Sequence, residues 1–292
     1  MEEKKGIILK GIGGFYYVES ANEIYESKAR GIFRKNNITP CAGDIVSIYM
    51  DKNNGCVIDK IFERKNYLIR PPVANVDNLF IVVSTKDPYP NILNIDKMIA
   101  IAVNAGIAPI IVISKCDLGG FDRLKKIYDL ANIKNVVFSS VTGEGKDELK
   151  EMLKNKINVF IGNSGVGKSS LLNCLYENLS LETGKISKKL GRGKHTTRQA
   201  ELFKLSNGGY VADTPGFSTL DVPKYGLLNQ NDLQYCFKDI AKFSDKCKFN
   251  SCTHTCEKGC AVINAVNQGL ISKTRFESYI YIYKEIKESK KW

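Results

Sequence analysis

Residues 6–62 alternate short apolar runs with glycine, asparagine and aspartate, a pattern typical of short β-strands separated by turns. The runs cover residues 6–12, 14–20, 23–30, 44–50 and 55–62. Five strands in about sixty residues predict a small barrel of the oligonucleotide-binding (OB) type, although an SH3-like barrel would have a similar pattern. We place this domain at residues 1–66. The paired prolines Pro71 and Pro72 block regular structure and predict a linker over 63–72.

From residue 78 the pattern changes to nearly continuous apolar runs that alternate with segments of helical spacing. The runs lie at residues 78–85, 109–114, 135–140, 158–162 and 208–213. The helical segments lie at residues 94–106, 121–133, 145–156 and 169–176. Strands buried on both faces and alternating with helices predict an α/β fold with a parallel, doubly wound sheet. We assign this domain to residues 67–219, and a helical, cysteine-rich domain to 220–292.

Composition and charge narrow the class of protein. The chain has no run of 18 apolar residues, and its start lacks a secretory signal, so we expect a cytoplasmic protein with no membrane partner. We also expect it to be a monomer. The net charge of +12 favours a polyanionic partner, although solubility alone would also account for it. The densest stretch is residues 185–198, with six basic side chains and no acidic one.

Residues 162–169, GNSGVGKS, match the phosphate-binding pattern G-x-x-x-x-G-K-[ST] between an apolar strand and a helix. Glycine lets the backbone wrap closely, so that its N–H groups face the phosphates of a nucleotide. We expect Lys168 to reach the β- and γ-phosphates and Ser169 to bind Mg²⁺. The predicted nucleotide-binding residues here are Gly162, Asn163, Ser164, Gly165, Val166, Gly167, Lys168, Ser169 and Ser170.

A second phosphate-side element is DTPG at residues 213–216, which ends the last apolar run. The Asp213 carboxylate could hold the Mg²⁺ shell through water, and the Gly216 N–H could contact the γ-phosphate. Thr196 or Thr197, which lie between the two motifs, could complete the magnesium shell. The sequence does not decide which of the two threonines would bind magnesium.

Residues 114–117, SKCD, end the strand PIIVI where a guanine-reading loop belongs. The Asp117 carboxylate would accept the N1 and N2 hydrogens of guanine, with the Lys115 stem packed over the base. The usual pattern is N-K-x-D, and Ser114 is too short to make every contact of an asparagine amide. A second loop, SSVT, follows about 22 residues later and has the spacing of GTP-binding domains. The predicted base-side residues are Ser114, Lys115, Cys116, Asp117, Ser139 and Ser140.

The base-reading loop precedes the phosphate loop, the reverse of the order in ordinary GTP-binding proteins. A nucleotide site is built from loops at the carboxyl edge of one sheet, so position in space matters and order along the chain does not. If the two termini of an ordinary GTP-binding domain are joined and the chain is opened after DTPG instead, the order of the loops changes and the pocket stays intact. The loop that senses the γ-phosphate then leads directly into the C-terminal segment.

Five of the nine cysteines lie within residues 236–260. An odd count without a signal peptide favours a metal over a disulfide framework. Cys247, Cys252, His254 and Cys260 form C-x₄-C-x-H-x₅-C, and three thiolates with one imidazole suit one structural, tetrahedral zinc ion. From spacing alone, Cys256 could replace a neighbour.

The order SKCD, SSVT, GNSGVGKSS, HTTR and DTPGF, between a barrel and a cysteine-rich tail, resembles the RsgA (YjeQ/YloQ) family of circularly permuted bacterial GTPases. The resemblance covers essentially the whole chain. It implies binding of GTP and GDP, and binding to the small ribosomal subunit and its rRNA late in assembly, with hydrolysis triggered there. It also selects Cys247, Cys252, His254 and Cys260 as the zinc ligands.

Many GTPases place a glutamine after D-x-x-G to orient the attacking water, whereas this chain has Phe217. We therefore expect slow intrinsic hydrolysis and strong activation by a partner. His195 is the nearest candidate to position water, and it could equally contact RNA or take no part. The basic segment 185–198 is the expected link to RNA phosphates.

Two other classes of function compete with this hypothesis. One is a non-hydrolysing RNA-binding module with nucleotide as a structural ligand. The other is an ATP-dependent enzyme. Turnover in the presence of small subunits distinguishes the first, and the base preference of an Asp117→Asn variant distinguishes the second.

Overall fold

A computed structural model describes residues 3–35, 38–51, 55–69, 71–176, 200–213 and 227–289. The candidate residues His195, Thr196, Thr197 and Gly216 lie outside these ranges, as do Phe217 and the whole basic segment, residues 185–198. The chain divides into two compact units. Unit 1 comprises Met1–Leu79, Leu149–Phe160 and Leu175–Gly216, and unit 2 comprises Phe80–Glu148, Ile161–Cys174 and Phe217–Trp292.

Unit 1 contains a closed five-stranded barrel, as the apolar pattern predicts. Its elements are β1 (Lys4–Ile12), β2 (Phe15–Ser20), β3 (Glu23–Ala29), α1 (Gly31–Lys35), β4 (Ile45–Asp51) and β5 (Gly55–Ile61). The strand order is β1-β2-β3-β5-β4, and the β3–β5 pair is parallel. Because neighbouring side chains of a strand point to opposite faces, β1, β2, β4 and β5 each direct part of their apolar residues into one interior. That core consists of Ile8, Val18, Phe33, Val46, Ile48, Cys56 and Ile58.

The prediction of a plain linker over residues 63–72 is wrong. Two short strands, β6 (Tyr67–Leu68) and β7 (Val73–Ala74), pair antiparallel there. Asn75 fastens the segment, because its side-chain amide donates to the Gly43 carbonyl oxygen at 2.8 Å and its Oδ1 accepts the Lys65 N–H at 3.0 Å. Proline prevents ladder hydrogen bonds only at its own nitrogen, so the residues that flank the pair remain free to form them.

The barrel contacts a hairpin within the same unit. This hairpin consists of β12 (Glu201–Lys204) and β13 (Tyr210–Asp213). Lys10 of β1 pairs with Glu201 at 2.6 Å. Glu19 of β2 is 8% exposed and accepts from the Tyr210 hydroxyl at 2.9 Å and from Lys204. These polar contacts join the barrel to the strand that ends at Asp213.

A six-stranded sheet has the order β10-β9-β8-β11-β13-β12. Its remaining strands are β8 (Asn78–Ser84), β9 (Ala108–Ser114), β10 (Asn135–Val137) and β11 (Ile157–Ile161). The β9–β10 and β11–β13 pairs are parallel, as predicted, and all residues of β8 and β11 are buried. The edge strand β12 runs antiparallel to β13. It was missed by sequence reasoning because four residues are too few to show a period.

Helices alternate with these strands at the predicted places. They are α2 (Ile92–Asn104), α3 (Asp122–Leu130), α4 (Lys146–Leu153) and α5 (Lys168–Leu175). The C-terminal part of unit 2 is helical, with α6 (Leu233–Cys236), α7 (Lys238–Ser244), α8 (Ala261–Asn267) and α9 (Lys273–Ser289). Among the described residues, no helix is both long and apolar enough to cross a membrane.

The C-terminal helices of unit 2 share one core with α2. Ala100 and Ile101 of α2 are buried against Ile240, Tyr279 and Ile282. Tyr279, Ile282 and Ile286 of α9 therefore pack inward, and this burial holds the C-terminal helices to α2.

A charged cluster lies inside this core. Arg275 of α9 is 0% exposed, and its Nε and Nη2 donate to the two carboxylate oxygens of Asp239 at 2.8 and 2.9 Å. Its Nη1 donates to Asp96 of α2, which is also 0% exposed. The guanidinium lies 5.0 Å from the Phe237 ring centre and 5.8 Å from that of Tyr128. One buried cation therefore joins α2, α7 and α9.

Candidate nucleotide site and metal centre

The phosphate loop connects β11 to α5. Gly162 has φ 155°, and a Cβ there would clash with the Val82 carbonyl oxygen, so only glycine fits. Lys168 begins α5, and its Nζ donates to the Gly162 carbonyl oxygen at 2.7 Å, across the loop. Ser169 and Ser170 are exposed in the first turn of α5. The first N–H groups of a helix lack intrahelical partners, so this end of α5 suits an anion.

The base-reading loop follows β9. Asp117 lies in a short 3₁₀ helix, Cys116–Leu118, and is exposed. The buried Ser139 hydroxyl donates to Asp117 Oδ1 at 2.6 Å and accepts the N–H groups of Val141 and Thr142 at 3.1 and 3.2 Å. The second predicted loop therefore holds the carboxylate of the first.

Ser114 connects the base-reading loop to the phosphate loop. Its hydroxyl is 2.6 Å from the carbonyl oxygen of Val166 and 3.0 Å from that of Val83. A hydroxyl has one proton, so it donates to one carbonyl at a time, and the shorter distance favours Val166. The serine that replaces asparagine thus still reaches the phosphate loop. The two loops, 52 residues apart in sequence, come together at this contact.

Three further predicted residues are Cys116, Ser140 and Asp213. Cys116 is 5% exposed, and its thiol contacts Glu144 at 3.4 Å. Burial, followed by the Glu144 hydrogen bond, raises the pKa of Cys116 to about 11, so the thiol stays neutral. Ser140 is exposed beside Ser139. Asp213 is the last residue of β13, as predicted.

Sequence reasoning missed the loop of residues 85–90, which follows β8. Its Asp87 carbonyl accepts from Lys115 Nζ at 2.6 Å, and Thr85 contacts the Lys115 carbonyl. A cleft lies between this loop, α2 and the phosphate loop, with Pro88 and Asn163 among its lining residues. The sequence contained a signal for this loop, because its polar residues follow directly after a buried strand. The carboxyl ends of parallel strands meet at one edge of the sheet, where a nucleotide site is built.

The four predicted metal ligands converge. Their ligand atoms, from Cys247, Cys252, His254 and Cys260, all lie within 4.8 Å of one another. The Cys247 and Cys260 sulfurs are 3.8 Å apart, and each is 3.5 Å from His254 Nδ1. Zinc–sulfur bonds of about 2.3 Å and a zinc–nitrogen bond of about 2.0 Å give tetrahedral edges of about 3.8 and 3.5 Å. The donor set and its spacing therefore fit zinc.

Neighbouring residues orient the ligands. His254 Nε2 lies 2.9 Å from Gln234 Oε1, an acceptor, which places the imidazole proton on Nε2 and leaves the Nδ1 lone pair facing the sulfurs. Burial lowers the pKa of His254, which favours the neutral, ligating form. Glu257 accepts the N–H groups of Thr253, Thr255 and Cys256 and so fixes the loop between the ligands. The exposed Cys256 lies outside the four.

Two family models match the chain. The RsgA GTPase model matches residues 61–223, which is more than half of the chain, and the RsgA N-terminal domain model matches residues 5–58. The boundary between the two matches falls at the end of the barrel.

Relatives match over nearly their whole length. A protein of Caldanaerobacter subterraneus subsp. tengcongensis named small ribosomal subunit biogenesis GTPase RsgA is 46% identical, over 100% of this chain and 98% of the relative. A protein of the same name from Streptococcus pneumoniae is 44% identical, over 97% and 94%. Two crystal structures are similar, YjeQ from Thermotoga maritima (TM-score 0.81, 36% identity) and YloQ, a circularly permuted GTPase (TM-score 0.79, 34% identity). The alignments cover 98% of this chain in both cases, and 99% and 96% of the respective structures.

Proposed function

The chain belongs to the RsgA GTPase family, and from this premise we propose that it hydrolyses GTP when activated by the small ribosomal subunit during biogenesis of that subunit. It is a GTPase and therefore a hydrolase, with a barrel, a circularly permuted nucleotide domain and a helical C-terminal domain. The observation that carries the proposal is the contact between Ser114 and the Val166 carbonyl. It brings the proposed guanine-reading loop and the phosphate loop to one place.

Four of the predicted residues have direct roles in this proposal. Asp117, oriented by Ser139, accepts the guanine N1 and N2 hydrogens. The phosphate loop and Lys168 hold the β- and γ-phosphates, where Lys168 neutralises charge that develops during transfer. Mg²⁺ would arrive with the nucleotide and would neutralise phosphate charge, and Ser169, whose side chain is exposed, would hold that ion.

The second part of the proposal concerns activation. The chain has Phe217 where a water-orienting glutamine is common, so hydrolysis without a partner should be slow. We assign activation to rRNA of the small subunit, with Thr196 or Thr197 brought to the magnesium ion and His195 to the attacking water. The protein is proposed to act as a cytoplasmic monomer, with domains at 1–66, 67–219 and 220–292.

The direct test is phosphate release from GTP and from ATP, with and without purified small subunits. We expect GTP hydrolysis to rise at least about tenfold with subunits and ATP hydrolysis to stay at background. GTP binding without hydrolysis under both conditions would favour the RNA-binding module instead. Equal use of ATP would favour the ATP-dependent enzyme.

Reversing the charge of Lys188, Lys189 and Arg192 together should abolish stimulation by the subunit while leaving basal hydrolysis intact. The expected cause is lost attraction between this basic segment and RNA phosphates, which weakens further as salt increases. Subunit-stimulated and basal phosphate release are measured on the same preparation. A matched reversal at Lys125, Lys126 and Lys150 should leave both rates unchanged. Equal loss of both rates in the first variant would refute the assignment.

We propose that Cys247, Cys252, His254 and Cys260 bind one structural zinc ion. Cys252→Ser should remove this ion, whereas Cys256→Ser, an otherwise identical change at an exposed neighbour, should retain one zinc per chain. Metal content is measured on the purified variants, and limited proteolysis reports whether residues 227–289 stay folded. The proposed ligand set is wrong if Cys256→Ser loses zinc and Cys252→Ser keeps it.

A further inference from the structure

Thr85 is the first residue after β8 and lies against the base-reading loop. It is 6% exposed, and its hydroxyl donates to the Lys115 carbonyl oxygen at 3.2 Å. Its backbone N–H is 3.4 Å from the Ser114 carbonyl oxygen. Both contacts point at the residues that precede Asp117, and the proposed mechanism gives Thr85 no task.

The peptide group between Lys115 and Cys116 is held from both sides. The Thr85 hydroxyl donates to the carbonyl oxygen of this peptide group. The N–H of the same peptide group, which belongs to Cys116, donates to the Phe138 carbonyl oxygen at 3.2 Å. Lys115 has φ 57° and ψ 36°, a left-handed conformation that is uncommon for residues other than glycine. Such a backbone persists only where surrounding contacts enforce it. The two hydrogen bonds, one from each neighbouring strand end, supply that enforcement.

The Lys115 side chain is held by the same loop. Its Nζ donates to the Asp87 carbonyl oxygen at 2.6 Å. The Ser84 hydroxyl lies 2.7 Å from the Lys86 carbonyl oxygen and 2.8 Å from that of Pro88, which fixes the shape of the loop. Residues 84–88 therefore hold both the backbone and the side-chain tip of Lys115, whose stem is expected to pack over the base.

We propose that Thr85 is a positioning residue for guanine recognition, whose hydroxyl holds the Lys115–Cys116 peptide so that the Asp117 carboxylate faces the guanine edge. Thr85 acts through Lys115 and does not touch the nucleotide. The inference deepens the proposed function and rests on guanine binding by Asp117. A positioned carboxylate discriminates between bases because a base that lacks one hydrogen-bond donor leaves it unpaired.

The test compares the affinities of Thr85→Val for GDP and for inosine diphosphate, whose base lacks the 2-amino group. The valine variant keeps the shape and loses the hydroxyl. We expect its Kd for GDP to rise about tenfold and its Kd for inosine diphosphate about twofold, so that the preference for GDP falls about fivefold. Thr85→Ser, which keeps the hydroxyl, should retain the wild-type preference. Thr39→Val, at an exposed threonine, is the matched control and should change neither affinity.

Displacement of a fluorescent guanine nucleotide gives both affinities, and thermal unfolding gives the folded fraction of each variant. Thr85→Ala provides the same comparison if the valine variant does not fold. A folded variant without the hydroxyl that keeps the wild-type preference overturns the proposal. Equal weakening of both nucleotides also overturns it, since that indicates general support of the loop. A wild-type protein with no preference for GDP over inosine diphosphate or ADP overturns the proposed function itself.

Discussion

Replacing Lys168 with alanine should reduce subunit-stimulated GTP hydrolysis at least about 100-fold, the usual cost of removing one preorganised group that stabilises transition-state charge. Lys168 begins α5, and its Nζ reaches back to the Gly162 carbonyl across the loop, so the ammonium lies among backbone groups suited to phosphates. Phosphate release at saturating GTP and saturating subunits measures the effect. A drop of less than about tenfold would show that GTP is hydrolysed elsewhere or without this cation.

Two companion variants sharpen this experiment. Lys126→Ala removes an exposed lysine of α3 and should leave hydrolysis unchanged. Asp117→Asn should exchange the preference for GTP for a preference for xanthosine triphosphate, because an amide can donate to the extra carbonyl of xanthine where the carboxylate can only accept. If Lys168→Ala abolishes hydrolysis and Asp117→Asn keeps GTP as the preferred substrate, the phosphate assignment stands and the base assignment is wrong.

Replacing Arg275 with leucine should destabilise the protein by about 3–5 kcal/mol, since it leaves two buried carboxylates without their cation. Asp239 and Asp96 are 6% and 0% exposed, so water cannot replace the lost hydrogen bonds without opening the core between α2 and α9. Urea unfolding measures the change. Lys284→Leu, on the exposed side of α9, is the matched control and should change stability by about 0.5 kcal/mol or less. Comparable effects of the two substitutions would contradict the importance of the charged cluster.

The two carboxylates of this cluster should respond differently to substitution, and Asp96 should make the stability of the protein depend on pH. Arg275 bonds both oxygens of Asp239 and one of Asp96, whose Oδ2 has no hydrogen-bond partner in the part of the chain that the structure describes. Burial raises the pKa of Asp96 to about 6, against the lowering effect of Arg275. A raised pKa contributes stability below about pH 4 that is lost as pH rises through 6.

Asp96→Asn should therefore remove this part of the pH dependence. It should also lower the free energy of unfolding less than Asp239→Asn does. Asparagine at position 96 can still accept from Arg275, and Asp239 alone neutralises the guanidinium. Unfolding free energies of wild type and both variants at pH 4 and pH 7 decide this. If Asp96→Asn lowers the free energy of unfolding more than Asp239→Asn does, then Asp96 and not Asp239 is the residue that neutralises Arg275.

The sequence alone determined most elements and supplied the candidate residues of both sites. The phosphate loop, the SKCD loop and the four candidate metal ligands are local patterns, because each requires particular residue types at fixed spacing within a few residues. The barrel strands and the buried strands β8, β9 and β11 were predicted because burial on one or both faces imposes a period or a continuous apolar run. Short elements without a period, β12 and the pair β6–β7, were missed.

Only the tertiary structure decided which side chains act on one another across long separations. Several such contacts depend on which strand and helix ends are neighbours. They are Ser114 with Val166, Ser139 with Asp117, Thr85 with the peptide after Lys115, and Gln234 with His254. The same holds for Arg275, whose partner Asp96 lies 179 residues away. A local pattern records the chemistry that a segment needs, whereas hydrogen bonds between distant segments depend on strand order and packing, which no single segment encodes.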